Sequence, residues 1–321
     1  MVYLLFIIGL FLLVKCADFL VDGGSRLATI LGVSPLFIGL SIAALGTSAP
    51  EAAVSIKAAV SAHSSISFGN ILGSNIANIG LVLGLAALLW SLNARTSTIK
   101  IEIPYSLFIT IVLIFLVRDD WHSSGVRTLS RFDGGILTIF FFFYLIYLYR
   151  MARNDRKNFL LGKDLSSIEP SKKELLKASA LTILGILGVI YGANLLVDNG
   201  ALIAKNWGVS ETMISVTIIA LGTSLPEAAT SLIAAKKGES GIAIGNVVGS
   251  NIFNILFVLG ITSLICPIQF SMIAFPDLLL VLGISIILLI FMNTKKNISR
   301  KEGGVLFLIY LAYIVLVILR R

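Results

Sequence analysis

Gly46-Thr47-Ser48-Ala49-Pro50-Glu51 recurs 176 residues later as Gly222-Thr223-Ser224-Leu225-Pro226-Glu227, and Gly69-Asn70 through Ser74-Asn75 to Asn78 recurs as Gly245-Asn246 through Ser250-Asn251 to Asn254. Aligned without a gap, residues 46–84 and 222–260 share 23 identities in 39 positions. The chain is an internal duplication, and each copy sets one glutamate inside an apolar run.

Composition decides the solvent. Of 321 residues, 57% are hydrophobic and 13% charged, too little polar surface to cover a soluble globule. Apolar runs long enough to cross about 30 Å of hydrocarbon as helices fall near residues 2–25, 35–61, 66–91, 99–117 and 132–150, then near 174–204, 210–235, 241–265, 273–292 and 303–319. They are continuously apolar rather than alternating, and a lipid-exposed backbone must satisfy its own polar groups, so helices are expected and not a barrel. The predicted fold class is an all-α integral membrane protein of ten transmembrane helices. The first run has no basic residue ahead of it and no small-residue cleavage site, so it is expected to remain as a helix.

The net charge of +8 does not imply nucleic acid, because the basic residues sit in short loops between spans and report orientation. An outside N-terminus puts seventeen of the 25 Lys and Arg residues in the cytoplasm and six outside, with Lys15 and Lys57 inside spans. Both termini are therefore expected outside a cell membrane. Cys16 and Cys266 are isolated thiols without ligand spacing, and packing is their expected role.

Each half, 1–150 and 174–321, holds five spans, with 151–173 as a short cytoplasmic linker in which Pro170 and Ser171 open the sixth helix. An odd number of spans makes the second copy enter the membrane from the opposite side, so the two five-helix repeats are predicted to be inverted. A site on their pseudo-two-fold axis could open to either side in turn, which is a transporter architecture.

Thr47, Ser48 and Glu51 share one helix face. Pro50 lacks an N–H and deprives the Gly46 carbonyl of its partner, and Pro226 does the same to Gly222. Ser74 with Asn78, and Ser250 with Asn254, are i, i+4 pairs that add side-chain oxygens to one stripe. With no His, Cys or Met among them, these hard donors suit Ca²⁺ or Na⁺. An ionised side chain mid-bilayer costs about 2.5 to 3.5 kcal/mol even on the lenient insertion scale, and two repel. One divalent cation cancels both charges; protons or several Na⁺ do so in its absence, and mutually exclusive occupants are the basis of antiport. A structural salt bridge is the plain alternative, yet its candidate Lys57 corresponds to Ile233 in the second copy. Gly69 with Gly73, and Gly245 with Gly249, have the spacing that lets helices approach closely. Asp22 and Asp198 match at the same offset, while Asp18 meets Asn194; these acids either line an ion entrance or cap and snorkel at helix ends. His63 and His122 read as surface residues. No GxxxxGK[ST], HExxH or GxSxG pattern is present, so nothing points to an enzyme.

GTSAPE with GNILGSNIANIG, and GTSLPE with GNVVGSNIFNIL, resemble the two alpha repeats of the sodium/calcium exchanger family within the cation/Ca²⁺ antiporter superfamily, and the layout is similar to its compact prokaryotic members. The resemblance implies Glu51 and Glu227 as central ligands shared by Ca²⁺ and Na⁺, and side-chain oxygens from Ser48, Ser224, Ser74 and Ser250. It implies backbone carbonyls from Thr47, Thr223, Ala44 and Ala220, with Asn78 and Asn254 completing the centre. Some members, including the potassium-dependent branch, carry Asp where this chain has Asn254, leaving two formal charges rather than three. Proton-coupled relatives typically carry GNxxE, whereas this chain has Ser, not Glu, further along from Gly69-Asn70 and Gly245-Asn246. The expectation is Na⁺/Ca²⁺ exchange with helices one and six sliding across a fixed core, no cofactor beyond the transported Ca²⁺ and Na⁺, a surrounding lipid membrane, no nucleic acid and no obligatory protein partner. A Ca²⁺/H⁺ antiporter is the nearest rival and a cation channel a remoter one.

Overall fold

A computed structural model describes residues 1–61, 65–117, 126–161, 171–208, 222–271 and 274–319. The chain is helical almost throughout, as its continuous apolar runs require. In order come α1 (Val2–Leu31), α2 (Pro35–Ile38), a π-helical segment Gly39–Ala43, α3 (Ala44–Thr47), α4 (Ala49–Val60), α5 (Ser65–Ala77), a π segment Asn78–Leu83 and α6 (Gly84–Leu89). Then follow strand β1 (Leu92–Asn93), a π segment Thr98–Glu102, α7 (Ile103–Leu116), β2 (Val126–Leu129), α8 (Arg131–Leu161) and α9 (Lys172–Asn206). The second copy continues with α10 (Leu225–Lys236), α11 (Ser240–Phe253), a π segment Asn254–Leu259, α12 (Gly260–Ile265), β3 (Ile268–Ser271), α13 (Phe275–Lys295), β4 (Asn297–Ile298) and α14 (Arg300–Leu319).

Among the described residues, eight helices are long and apolar enough to cross a membrane, or nine if Pro35–Thr47 and Ala49–Val60, bent 44° apart, count as one span. Residues 210–221 of the expected span over 210–235 lie outside the described ones; its remainder, from 222, includes α10. Two boundaries differ from the sequence reading. Helix α1 runs on to Leu31, where Gly32 at φ 67° ends it, so Arg26 lies on the helix and not in a loop. Helix α8 continues through Leu161, carrying Arg150, Arg153, Arg156 and Lys157 on its last turns. Charge stops a span from being apolar, but it does not stop a helix. Helix α9 starts just after Ser171, whose carbonyl accepts from the Glu174 and Leu175 amides.

The small antiparallel ribbons were not expected from apolar runs alone. β1 pairs with β4, Leu92 opposite Ile298, and β2 pairs with β3, Leu129 opposite Ile268.

The helices gather into two compact units, Met1–Thr47 with Ile146–Gly249, and Ser48–Leu145 with Ser250–Arg321. Each draws on both sequence copies, and two of the three borders, Thr47/Ser48 and Gly249/Ser250, fall inside the repeated motifs, the third lying within α8.

In the first unit α1 lies along α9. A methyl group added at Gly192 would stand 2.6 Å from the Leu13 backbone nitrogen, and one at Gly185 2.6 Å from that of Leu20, so the helices touch backbone to backbone. Leu13, Cys16, Ala17, Val189 and Ala193 form a buried cluster capped by Leu225, Ala229 and Ile233 of α10. Cys16 is thus a packing residue. Gly245 and Gly249 seat α11 against Leu36, Leu40 and Ala44 at equally short range. Gly69 and Gly73 meet nothing among the described residues; the positions that correspond to Leu36, Leu40 and Ala44 at the repeat offset, 212, 216 and 220, are not among them.

In the second unit Phe141 of α8 packs on Phe253 and Phe257, ring centroids 5.8 and 5.1 Å away, and those two rings stack at 4.7 Å. Phe68, Ile71, Leu72 and Ile76 bury one face of α5.

Candidate metal centre

The proline of each motif does locally what its chemistry demands. Helix α3 ends at Thr47, Ser48 leaves helical geometry at φ −81°, ψ 7°, and α4 begins with Ala49 and Pro50. The second copy repeats this, with Ser224 at φ −87°, ψ 1° and α10 beginning at Leu225 and Pro226. Pro is tolerated in the first turn because its missing N–H would have no partner there. Ser48 and Ser224 are consequently N-cap residues, and Glu51 and Glu227 fall in the first turn of their helices, the end that favours negative charge.

Both glutamates are completely buried. Ser74 Oγ of α5 donates to Glu51 Oε1 at 3.2 Å. Thr47, Ser48, Ser74, Asn78, Ser224, Ser250 and Asn254 are buried too, and Thr223 is half-buried. Ala44 is buried in α3. Ala220 lies outside the described residues. Lys57, one basic candidate for a structural pair, is exposed while Glu51 is enclosed.

Asparagines that the sequence reading quoted without a role turn out to brace the motifs. Asn70 Nδ2 donates to the Glu51 carbonyl at 3.4 Å and to Ser55 Oγ at 3.2 Å. Asn246 Nδ2 donates to the Glu227 carbonyl at 3.4 Å and to Ser231 Oγ at 3.0 Å, the same bonds at the same offset. Thr47 Oγ1 adds a 3.1 Å bond to Asn246 Oδ1, whereas the Thr223 hydroxyl has no hydrogen-bond partner among the described residues. In the second unit Asn75 and Asn251 exchange bonds with each other's backbone, Nδ2 to carbonyl, at 3.4 and 3.3 Å. Asn78 Nδ2 donates to Asn251 Oδ1 at 3.0 Å and Asn254 Nδ2 to Asn75 Oδ1 at 3.1 Å. The signal for these braces was their exact repetition; apolar runs and charge counts carry none of it.

Both α5 and α11 widen to π geometry at the next residue in the stripe, Asn78 and Asn254. Single π turns occur often at functional positions. The amide oxygens of Asn78 and Asn254 are buried and have no hydrogen-bond partner among the described residues, which costs about 1–3 kcal/mol each unless a ligand accepts them.

The chain's overall pattern matches a known sequence family: the model described as sodium/calcium exchanger protein covers residues 1–150 and 177–319. The chain belongs to the sodium/calcium exchanger family. This exchanger-family chain is 35% identical to a putative antiporter, CaxA, of Alkalimonas amylolytica, over 96% of its own length and 95% of the relative's. It is 33% identical to the sodium/calcium exchanger MaX1 of Methanosarcina acetivorans, over 98% and 97%. Among solved structures it resembles the sodium-calcium exchanger NCX_Mj soaked with 10 mM Na⁺ and zero Ca²⁺, with TM-score 0.82, 32% identity, and 98% and 99% of the two chains covered. The family assignment establishes a multi-pass membrane protein of transporter type.

The other acids separate from this centre. Lys237, just beyond α10, bonds Asp18 Oδ1 at 2.5 Å and Asp22 Oδ1 at 2.7 Å on α1, and Ser25 Oγ donates to Glu239 Oε1 at 2.5 Å. Burial lowers the affinity of Lys237 for its proton, but hydrogen bonds and charge from Asp18 and Asp22 outweigh it and hold the ammonium above its ordinary pKa. Asp18 also meets Lys15 at 3.3 Å. Asp198 is exposed on α9. His63 and His122 lie outside the described residues. A buried carboxylate the sequence reading passed over, Glu102, lies in line with buried Thr98, Ser106 and Thr110 at i, i+4 spacing.

Proposed function

We propose that this chain is a secondary antiporter that exchanges Na⁺ for Ca²⁺ across the cell membrane, through one intramembrane site and by alternating access. The observations that carry the reading are the buried Glu51 with its Ser74 hydroxyl, and the buried amide oxygens of Asn78 and Asn254, which have no hydrogen-bond partner among the described residues. Carboxylate, hydroxyl and amide oxygens are what hard cations select. The repeat supplies a matching Glu227, Ser224 and Ser250 from the second copy.

On this reading Glu51 and Glu227 bind the charge of either cargo, and Ser48, Ser224, Ser74, Ser250, Asn78 and Asn254 add side-chain oxygens. Thr47, Thr223, Ala44 and Ala220 add carbonyls from the helix breaks. Because two carboxylates left empty mid-bilayer are costly, the site changes access when Ca²⁺ or several Na⁺ fill it and resists doing so empty, which makes exchange obligatory. If three Na⁺ replace one Ca²⁺, each cycle moves one net charge and responds to voltage. The two five-helix halves, 1–150 and 174–321, would be inverted repeats joined by the linker 151–173, with both termini outside. The backbone-close packing of α1 on α9 supports their moving as one sliding body.

Purified protein in lipid vesicles, loaded with Na⁺ and diluted into Na⁺-free buffer containing radioactive Ca²⁺, tests this. Uptake that needs the Na⁺ gradient is expected. Uptake driven equally by a pH gradient would replace it with Ca²⁺/H⁺ exchange, and flux without a counter-ion would mean a channel.

A further inference from the structure

We propose that Asn75 and Asn251 are positioning residues that fix which atom Asn254 and Asn78 turn toward the transported cation. This role rests on the ligand role proposed above for Asn78 and Asn254, and two backbone carbonyls set it. A carbonyl can only accept, so the group of Asn75 that meets the Asn251 carbonyl at 3.4 Å must be its NH₂, and likewise for Asn251 against the Asn75 carbonyl at 3.3 Å. With its NH₂ committed, Asn75 presents its amide oxygen to Asn254, and Asn251 presents its own to Asn78. An oxygen requires a donor opposite it. Asn254 and Asn78 therefore offer Nδ2 to the ring, and each Oδ1, diverging from its nitrogen across the planar amide, faces away from it. Both of these oxygens are buried and lack a hydrogen-bond partner among the described residues. All four side chains are buried, so water cannot supply an alternative set of bonds cheaply.

The ring thus converts a side chain with two nearly equivalent ends into one with a single cation-facing end. A free asparagine could turn its NH₂ to the metal, which would repel it. The ring also explains why an amide suits position 254: a carboxylate there would set oxygen against the Asn75 oxygen at about the present 3.1 Å. The connectivity is crossed, Asn75 acting on Asn254 and Asn251 on Asn78, and this makes the inference testable against a merely structural role.

Ca²⁺ titration by calorimetry of the purified full chain reads the effect, using Asn75→Leu and Asn251→Leu, which keep the branched skeleton while removing both polar ends, with the smaller Asn75→Ala and Asn251→Ala as second variants. Ion-free melting selects variants that fold. Asn75→Leu is expected to weaken Ca²⁺ binding roughly tenfold, as loss of a partner that orients a metal ligand does. Combined with Asn254→Ala it should weaken binding no further than Asn254→Ala alone, whereas combined with Asn78→Ala the two losses should multiply. Asn251→Leu should show the reverse pattern. Full multiplication in both pairs, or unchanged affinity in Asn75→Leu when Asn254→Ala weakens it, overturns the positioning role alone. Unchanged affinity in both Asn254→Ala and Asn78→Ala removes the ligands themselves, and the positioning role with them.

Discussion

The hydroxyl of Ser74 donates to Glu51 Oε1 at 3.2 Å, joining the two halves of the repeated motif, the proline-broken helix and the asparagine stripe, in a single contact. Hydrogen bonds to charged groups contribute about 1.5–3 kcal/mol. Ser74→Ala is therefore expected to raise the Ca²⁺ concentration for half-maximal vesicle uptake by about tenfold or more. An unchanged half-saturation value would mean that the serine does not support the carboxylate during transport.

Glu51→Gln and Glu227→Gln keep size and one accepting oxygen but halve the negative charge available to Ca²⁺. Each is expected to abolish Na⁺-driven Ca²⁺ uptake, by more than about a hundredfold, in line with the several kcal/mol that a buried charge pairing carries. Near-normal uptake by either variant would take that residue out of the site.

Asn246 and Asn70 offer an internal comparison, since the repeat equates them but Asn246 makes an additional bond, with Thr47, and is more deeply buried. Loss of one further buried hydrogen bond costs about 1 kcal/mol. Asn246→Ala should accordingly melt at a lower temperature in detergent than Asn70→Ala. Equal melting temperatures would show that the Thr47 bond contributes nothing.

Lys237 fastens α1 to the turn between α10 and α11 through Asp18 and Asp22. If α1 slides during transport, this fastening must break or travel with it. Partly exposed ion pairs contribute about 0.2–1 kcal/mol each, so Lys237→Met should change the maximal exchange rate by about two- to fivefold and leave Ca²⁺ half-saturation unaltered. A changed half-saturation with an unchanged rate would place Lys237 on the binding side of the cycle instead.

The sequence showed clearly whatever depends on bulk or on repetition. Continuous apolar runs gave the helices, Pro50 and Pro226 gave the helix breaks, and the 176-residue offset marked the glutamates and their serines. The ends of α1 and α8 were misplaced because Arg26, Arg150 and Arg153 read as loop when hydropathy is the only criterion, while an α-helix accepts arginine readily. The asparagine ring was illegible for a different reason. Asn75 and Asn251 are 176 residues apart, and which end of an amide faces its neighbour depends on where two distant backbone carbonyls fall. Glu102 was overlooked because it has no twin in the second copy, where Leu278 stands.

The widened π turns that begin at Asn78 and Asn254 carry a historical consequence. A one-residue insertion acquired independently in each half would have no reason to land at equivalent positions of α5 and α11. The π turn therefore predates the duplication, and the segment that was copied already carried it.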